Sequence, residues 1–335
     1  MKEALYYKAL KNKIVQCFIC PRKCIIKEGE RGFCKSRENR NGKLYSLVYA
    51  IPCSVNVDPI EKKPLFHFLP GTTAYSVGTS GCNLRCKFCQ NWQISQAMPE
   101  DVPFIDLKPE KVVEEAIANG CKSIAYTYTE PTIFYEYMLD TAKLAKKKGI
   151  KNVYVSNGFI NEEPLKELCR YIDAANIDLK GFSDDFYRQI TGAWLQPVLD
   201  TLKTLKKEGV WIEITNLIIP TLNDDAAMIR KMCLWIKGQL GDDIPLHFSR
   251  FFPDYKLMDL PPTSPETLIK AKEIAEKAGL KYIYIGNLKT EKDEQTKCPK
   301  CGKVLVNREW FRATENNIKN GSCYSCGEKI EGVWK

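Results

Sequence analysis

A chain of 335 residues, 44% hydrophobic and 27% charged, has the make-up of a water-soluble globular protein with a sizeable core, which sets aside disordered and fibrous classes. No segment has the apolar length of a membrane span, and the opening Met-Lys-Glu-Ala-Leu-Tyr-Tyr-Lys lacks the apolar stretch of a secretory signal, so a cytoplasmic location and no membrane partner are expected. The net charge of +9 leaves a nucleic acid or an acidic partner open without selecting either, and Lys146, Lys147 and Lys148 read as a solvated helix face.

The 15 cysteines fall mostly in tight groups, spaced like metal ligands rather than like a secreted disulfide framework. Thiolates kept as ligands imply a reducing, anaerobic setting. The first group lies in a segment expected to span 1–60: Cys17, Cys20 and Cys24 form CxxCxxxC, with Cys34 following after nine intervening residues. Soft thiolates suit zinc and iron–sulfur clusters alike. Zinc is slightly preferred, because the spacing is that of neither common ferredoxin run. Cys53, Cys121, Cys169 and Cys233 stand alone on apolar segments and read as core.

Over 61–289, short apolar runs alternate with helical stripes. A β-like run at 74–78 leads straight into the central cysteines, and Pro109 opens a helix whose stripe is Val112, Val113, Ala116 and Ile117. There follow a strand at 123–128, a helix near 132–148, a strand at 152–156, a helix near 163–171 and a strand at 175–179. The alternation continues with helix 197–207, strand 210–218, helix 226–237, strand 246–249, helix 265–278 and strand 282–285. Strands alternating with helices imply a parallel sheet, and about six or seven such units fit an α/β fold of full or partial (β/α) barrel type. In a barrel, function collects at the C-terminal ends of the strands. Cys82 follows the first strand, Glu130 the second and Asn157 the third, while Asp178 and Lys180 close the fourth.

The charged stretch 291–297 reads as a linker into a last segment, 290–335. There Cys298-Pro-Lys-Cys301-Gly and Cys323-Tyr-Ser-Cys326-Gly make two CxxC knuckles separated by 21 residues. Four thiolates suit a closed tetrahedral zinc site that supplies folding energy to a segment too small for its own core. A structural tailpiece is the expectation, although such ribbons can also meet RNA, DNA or protein.

The central group, Gly81-Cys82-Asn83-Leu84-Arg85-Cys86-Lys87-Phe88-Cys89, has the spacing CxxxCxxC. Three thiolates can hold three irons of a cubane and leave the fourth open to an outside ligand. With Phe88 just before its last cysteine, the loop resembles the signature of radical S-adenosylmethionine (SAM) enzymes. That resemblance implies a [4Fe–4S] cluster on Cys82, Cys86 and Cys89 whose open iron takes the amino and carboxylate groups of SAM. An external one-electron reductant then drives cleavage to methionine and a 5′-deoxyadenosyl radical, which abstracts hydrogen from substrate.

Within these enzymes the chain resembles the pyruvate formate-lyase activating group. Asp178-Leu179-Lys180 looks like that group's Asp-x-Lys element beside SAM. Tyr128-Thr129-Glu130-Pro131 takes the place of its Gly-Gly-Glu element, which receives the SAM amino group; Glu130 is retained and the glycines are not. Asn157-Gly158 fits the Asn-Gly turn after the third strand, and Asn216 stands where many activating enzymes have an arginine. His247, on a strand facing core or site, completes the SAM-site candidates. As a whole the chain is similar to the radical SAM proteins of the AmmeMemoRadiSam system. The likeness extends over Cys-x-x-Cys-Pro-x-x-Cys at 17–24, Lys-Pro-Leu-Phe-His-Phe-Leu-Pro-Gly at 63–71, and the closing Gly332-Val333-Trp334. That name implies a Memo-like partner but supplies no substrate. A glycyl-radical activase acting on a protein substrate is the leading expectation, radical modification of RNA the second, and a non-enzymatic zinc-dependent nucleic-acid adaptor the rival from another class.

Overall fold

The apolar runs assemble into one eight-stranded sheet in a computed structural model that describes residues 1–288 and 294–335. Its strands stand side by side in chain order: β1 (Ser54–Pro59), β2 (Thr73–Gly78), β3 (Ser123–Tyr126), β4 (Lys151–Ser156), β5 (Ala174–Asp178), β6 (Trp211–Ile218), β7 (Leu246–Arg250) and β8 (Ile283–Gly286). Every neighbouring pair from β2 to β8 is parallel, and β1 alone runs antiparallel, against β2. Parallel neighbours need long crossovers. These carry α1 (Pro109–Ala118), α2 (Tyr135–Lys147), α3 (Glu162–Cys169), α4 (Gln196–Lys207), α5 (Ala226–Leu240) and α6 (Pro265–Ala278). The sheet is open, with β1 and β8 as its edges, so the fold is a partial (β/α) barrel.

The local chemistry of these elements is plain. All four residues of β3 are buried, as in a strand covered on both faces. In α4, Val198, Leu199, Thr201, Leu202 and Leu205 make the buried stripe while Lys203, Lys206 and Lys207 face outward. Asp225 caps α5 by accepting from the Met228 N–H, and Ser264 caps α6 by accepting from the Thr267 N–H. The helix expected from 132 begins differently. Glu130 caps a 3-10 turn, Pro131–Phe134, and the α-helix starts only at Tyr135.

Ahead of the sheet lie two small antiparallel sheets. One joins Lys2–Glu3, Arg37–Arg40 and Lys43–Ser46; the other joins Tyr7–Ala9, Val15–Cys17 and Ile25–Ile26. They share the main apolar core, and a buried ion pair of 2.8 Å between Arg37 and Glu136 ties them to α2. At the other end, Thr296–Lys297, Val304–Glu309 and Arg312–Asn316 form a ribbon. It packs on Phe66, Tyr282 and Tyr284 in a separate apolar cluster. The expected boundary at 289–290 and residues 291–293 of the expected linker lie outside the described residues; Thr296 and Lys297 already pair with Val306 and Val304. Among the described residues, no helix is long and apolar enough to cross a membrane.

Candidate active site and metal centres

The central cysteines occupy the loop that leaves the C-terminal end of β2. A Cβ on Gly78, the last residue of that strand, would meet the Thr127 carbonyl oxygen at 2.6 Å, so glycine lets the exits of β2 and β3 approach closely. The loop is pinned by backbone bonds from Gly81 N to Ile94 O (2.9 Å), Arg85 N to Thr191 O (2.8 Å) and Lys87 N to Ile190 O (2.9 Å). Ile190 and Thr191 belong to a single π-helical turn, Tyr187–Thr191, a local widening that recurs at functional sites. The Arg85 guanidinium donates back to the carbonyls of Cys82 (2.9 Å) and Leu84 (2.8 Å).

Cys82, Cys86 and Phe88 are buried and Cys89 is half-buried. The Leu84 N–H donates to the Cys82 sulfur at 3.3 Å, and the Cys89 sulfur lies 3.2 Å from Ser95 Oγ. Burial pushes the Cys82 thiol well up, and the nearby Glu130 carboxylate adds to the shift. Burial also pushes Cys86 up, to about 12, against the pull of the Lys180 ammonium. Thiols so placed become thiolates when a metal takes up their charge.

Around the loop stand the ends of β3, β4 and β5. Glu130 is fully buried. Its Oε1 accepts from Thr132 N (2.9 Å), Thr132 Oγ1 (2.6 Å) and Ser156 Oγ (2.8 Å), and its Oε2 accepts from Asn157 N (2.9 Å). Burial raises its pKa, and those donors work against the rise. Asn157 donates through Nδ2 to Asn83 Oδ1 at 2.9 Å and lies 3.8 Å from the Cys82 sulfur, so Glu130 reaches the cysteine loop through Asn157. Lys180 Nζ donates to Asp178 Oδ2 at 2.8 Å and sits 5.7 Å from the centre of the Phe88 ring. Burial works to lower the Lys180 pKa, but the Asp178 carboxylate and Cys86 outweigh it and hold the ammonium charged. Asn216 donates to the Leu179 carbonyl at 2.7 Å and leaves its Oδ1 buried without a protein partner.

Residues 76–233 match the Radical SAM superfamily. Over 99% of its length the chain is 51% identical to an uncharacterized protein of Methanocaldococcus jannaschii, all of which is covered. It is 26% identical over 199 residues to the pyruvate formate-lyase-activating enzyme of Clostridium pasteurianum, covering 54% of this chain and 80% of that one. The chain belongs to the radical SAM superfamily. Among solved structures, a radical SAM methyltransferase from Sphaerobacter thermophilus shares the fold, with a TM-score of 0.52 at 14% identity over 71% of each chain.

Two other candidates in this radical SAM chain, Tyr128 and His247, turn their side chains elsewhere. The Tyr128 phenol turns to the edge strand, donating to Asp58 Oδ2 at 2.5 Å, while Thr129 donates to the Thr79 carbonyl at 2.7 Å. His247 bonds through Nε2 to Glu213 at 2.7 Å. Glu213 also accepts the backbone N–H groups of Phe66 (2.9 Å) and His67 (2.7 Å). Phe66 and His67 precede β2, whereas Cys82 follows it, so the bonds of His247 run toward the end of the sheet away from the cysteine loop. Glu213, a lone carboxylate in an apolar strand run, is a signal that could have exposed this pairing. Asn83, Ser36 and Arg37 carry no sequence signal of their own.

Among the described residues, Cys298, Cys301, Cys323 and Cys326 are the one group of three or more His, Cys, Asp or Glu whose ligand atoms all lie within 4.8 Å of one another. Cys298 and Cys326 are 3.6 Å apart at sulfur, and Cys301 and Cys323 3.7 Å. Zinc–sulfur bonds of about 2.3 Å in a tetrahedron put the sulfurs about 3.8 Å apart, so this set could hold one ion. The central three do not form such a single-ion group, and a cubane with one thiolate per iron does not ask it of them.

Proposed function

We propose that this chain cleaves SAM at a [4Fe–4S] cluster held by Cys82, Cys86 and Cys89, and that its substrate is a second polypeptide. The observation that carries the proposal is the loop itself: three buried or half-buried thiols at the exit of β2, facing the Asp178–Lys180 pair and offering no fourth cysteine. When bound, the reduced cluster supplies the electron that cleaves SAM to methionine and a 5′-deoxyadenosyl radical, which takes hydrogen from substrate.

The chain's own groups do the positioning. The half-exposed Asp178 carboxylate and the Lys180 ammonium suit the amino and carboxylate groups of SAM's methionine end, in charge-assisted contacts. The unmatched Oδ1 of Asn216 adds an acceptor beside Leu179. Glu130 acts as a positioning residue that fixes Asn157, and through it the cysteine loop. Zinc in the C-terminal four-cysteine group has a structural role. A relative named pyruvate formate-lyase-activating enzyme supports a protein substrate; in this proposal a glycine Cα–H is the bond attacked and an external one-electron donor is the reductant.

The test is anaerobic. The reconstituted, reduced protein is given SAM, and 5′-deoxyadenosine is measured by mass spectrometry beside a Cys86→Ala control. Product in the wild type alone is expected; failure to bind iron and SAM would promote the zinc adaptor instead. Deuterium passing from a glycine-labelled protein fraction into 5′-deoxyadenosine supports the activase role, and label arriving from an RNA base overturns it.

A further inference from the structure

The N-terminal cysteines do not close up as the C-terminal ones do. Cys17 and Cys20 share the CxxC spacing of Cys298 and Cys301, yet Cys17, Cys20, Cys24 and Cys34 do not form a compact single-ion group as the C-terminal four do. Instead all four line one recess whose other walls include Ile19, Ile26 and Ile133. It encloses a cavity of ≈ 10 Å³. Four sulfurs drawn to about 3.8 Å around a zinc ion leave no such space.

Arg37 lines the same recess and is 1% exposed. Its Nη2 donates to both oxygens of Glu136, at 2.9 and 2.8 Å, while Nε and Nη1 have no partner in the protein. A guanidinium buried this deeply ordinarily has its N–H groups met. The sulfurs of an iron–sulfur cluster accept such bonds.

The recess also abuts the central loop. Asn83, the neighbour of Cys82, is part of its wall, and the Asn83 carbonyl accepts from Arg22 Nε at 2.6 Å. Ser36 Oγ lies 3.1 Å from the Cys34 carbonyl and 3.0 Å from the Ser80 carbonyl, bridging the two cysteine segments.

We propose that Cys17, Cys20, Cys24 and Cys34 hold a second iron–sulfur cluster, a four-iron cubane with a cysteine on every iron, packed against the loop of the first. With no open iron this centre binds no SAM; its position suits it to exchanging single electrons with the central site. Its thiols are separate from Cys82, Cys86 and Cys89, so the two assignments stand or fall independently.

The full-length chain is reconstituted anaerobically, and iron, sulfide and zinc are counted per chain. Two cubanes and one zinc give about eight iron, about eight sulfide and about one zinc. The triple variant Cys82→Ala/Cys86→Ala/Cys89→Ala is expected to keep about four iron, with a Mössbauer spectrum that SAM leaves unchanged. The double variant Cys17→Ser/Cys34→Ser is expected to lose about four iron and still respond to SAM. A triple variant with no iron and about two zinc overturns the proposal. Wild-type protein with about four iron and about two zinc does the same, without depending on the folding of any variant. If instead the wild type holds about four iron, all lost in the double variant, the central assignment fails and this one survives.

Discussion

Glu130 has no exposure, and its two oxygens collect donors from the turn after β3 and from the end of β4. Glu130→Ala leaves the Thr132 and Asn157 N–H groups and the Ser156 hydroxyl unmet in the interior. At about 1–3 kcal/mol for each orphaned group, a loss of about 3 kcal/mol or more is expected in urea unfolding, together with poorer iron retention. Lys180→Met should behave differently. Its partner Asp178 is 37% exposed and can turn to water, so stability should stay within about 1 kcal/mol while SAM affinity falls. Wild-type SAM binding by Lys180→Met, in an equilibrium titration, would reduce the pair to a rim contact. His67 carries a pH signature. Burial holds its imidazole down at about 4, against the pull of the Glu213 carboxylate, with Arg308 and His247 also lowering it. Because the folded imidazole takes its proton less readily than the unfolded one, stability is full above about pH 6.5 and is lost as pH falls toward about 4. Thermal melts should track this decline, and His67→Gln should flatten it; an equally steep decline in the variant would move the effect to other groups, such as the ribbon thiols.

Elements differ in how openly they announce themselves. The interior strands and all six crossover helices could be read from apolar runs and stripes, because burial on both faces leaves a strong local pattern. The edge strand β1 could not. Its sequence Ser-Val-Asn-Val-Asp-Pro is half polar, and only pairing with β2 makes it a strand. The cysteine loop adds a tertiary demand of its own. Gly81 has φ +97, and a Cβ there would meet Ser36 Oγ at 2.1 Å and the Cys34 carbonyl oxygen at 2.5 Å. Gly81→Ala therefore strains the backbone and forces the N-terminal segment off the loop. A destabilisation of at least about 2 kcal/mol is expected from the left-handed backbone and the clash together. Denaturant unfolding checks it; a variant as stable as the wild type would mean that the two segments are not so closely packed in solution.

At the scale of the whole molecule, the C-terminal ribbon is a cap on one end of the sheet. Arg308, 2% exposed, reaches from the ribbon to the Phe66 carbonyl at 2.6 Å. His67 joins it through the Glu331 carbonyl (2.7 Å) and also bonds the Tyr284 hydroxyl of β8 (2.6 Å), which in turn meets Thr296 of the ribbon (2.9 Å). A thiol-reactive release assay should yield about one zinc per chain from the ribbon. Stripping it should lower Tm by several degrees and change the fluorescence of Trp334, yet leave 5′-deoxyadenosine formation within about two-fold, since the central cysteines lie beyond the far end of β2. Loss of all product on stripping would instead place the ribbon at the active site.

Three cysteine sets, a parallel sheet built from strand–helix units, and a cysteine loop at the exit of its first parallel strand are all legible along the chain. Ligand spacing, apolar periodicity and turn chemistry are local properties, set within a few residues. Long-range packing instead brings residues 34–36 onto residues 80–81, gives His247 to Glu213, and contracts one CxxC set to the span of a single ion while another opens around a recess. Each of those outcomes rests on side chains far apart in the chain, and close packing, not spacing, chooses their partners.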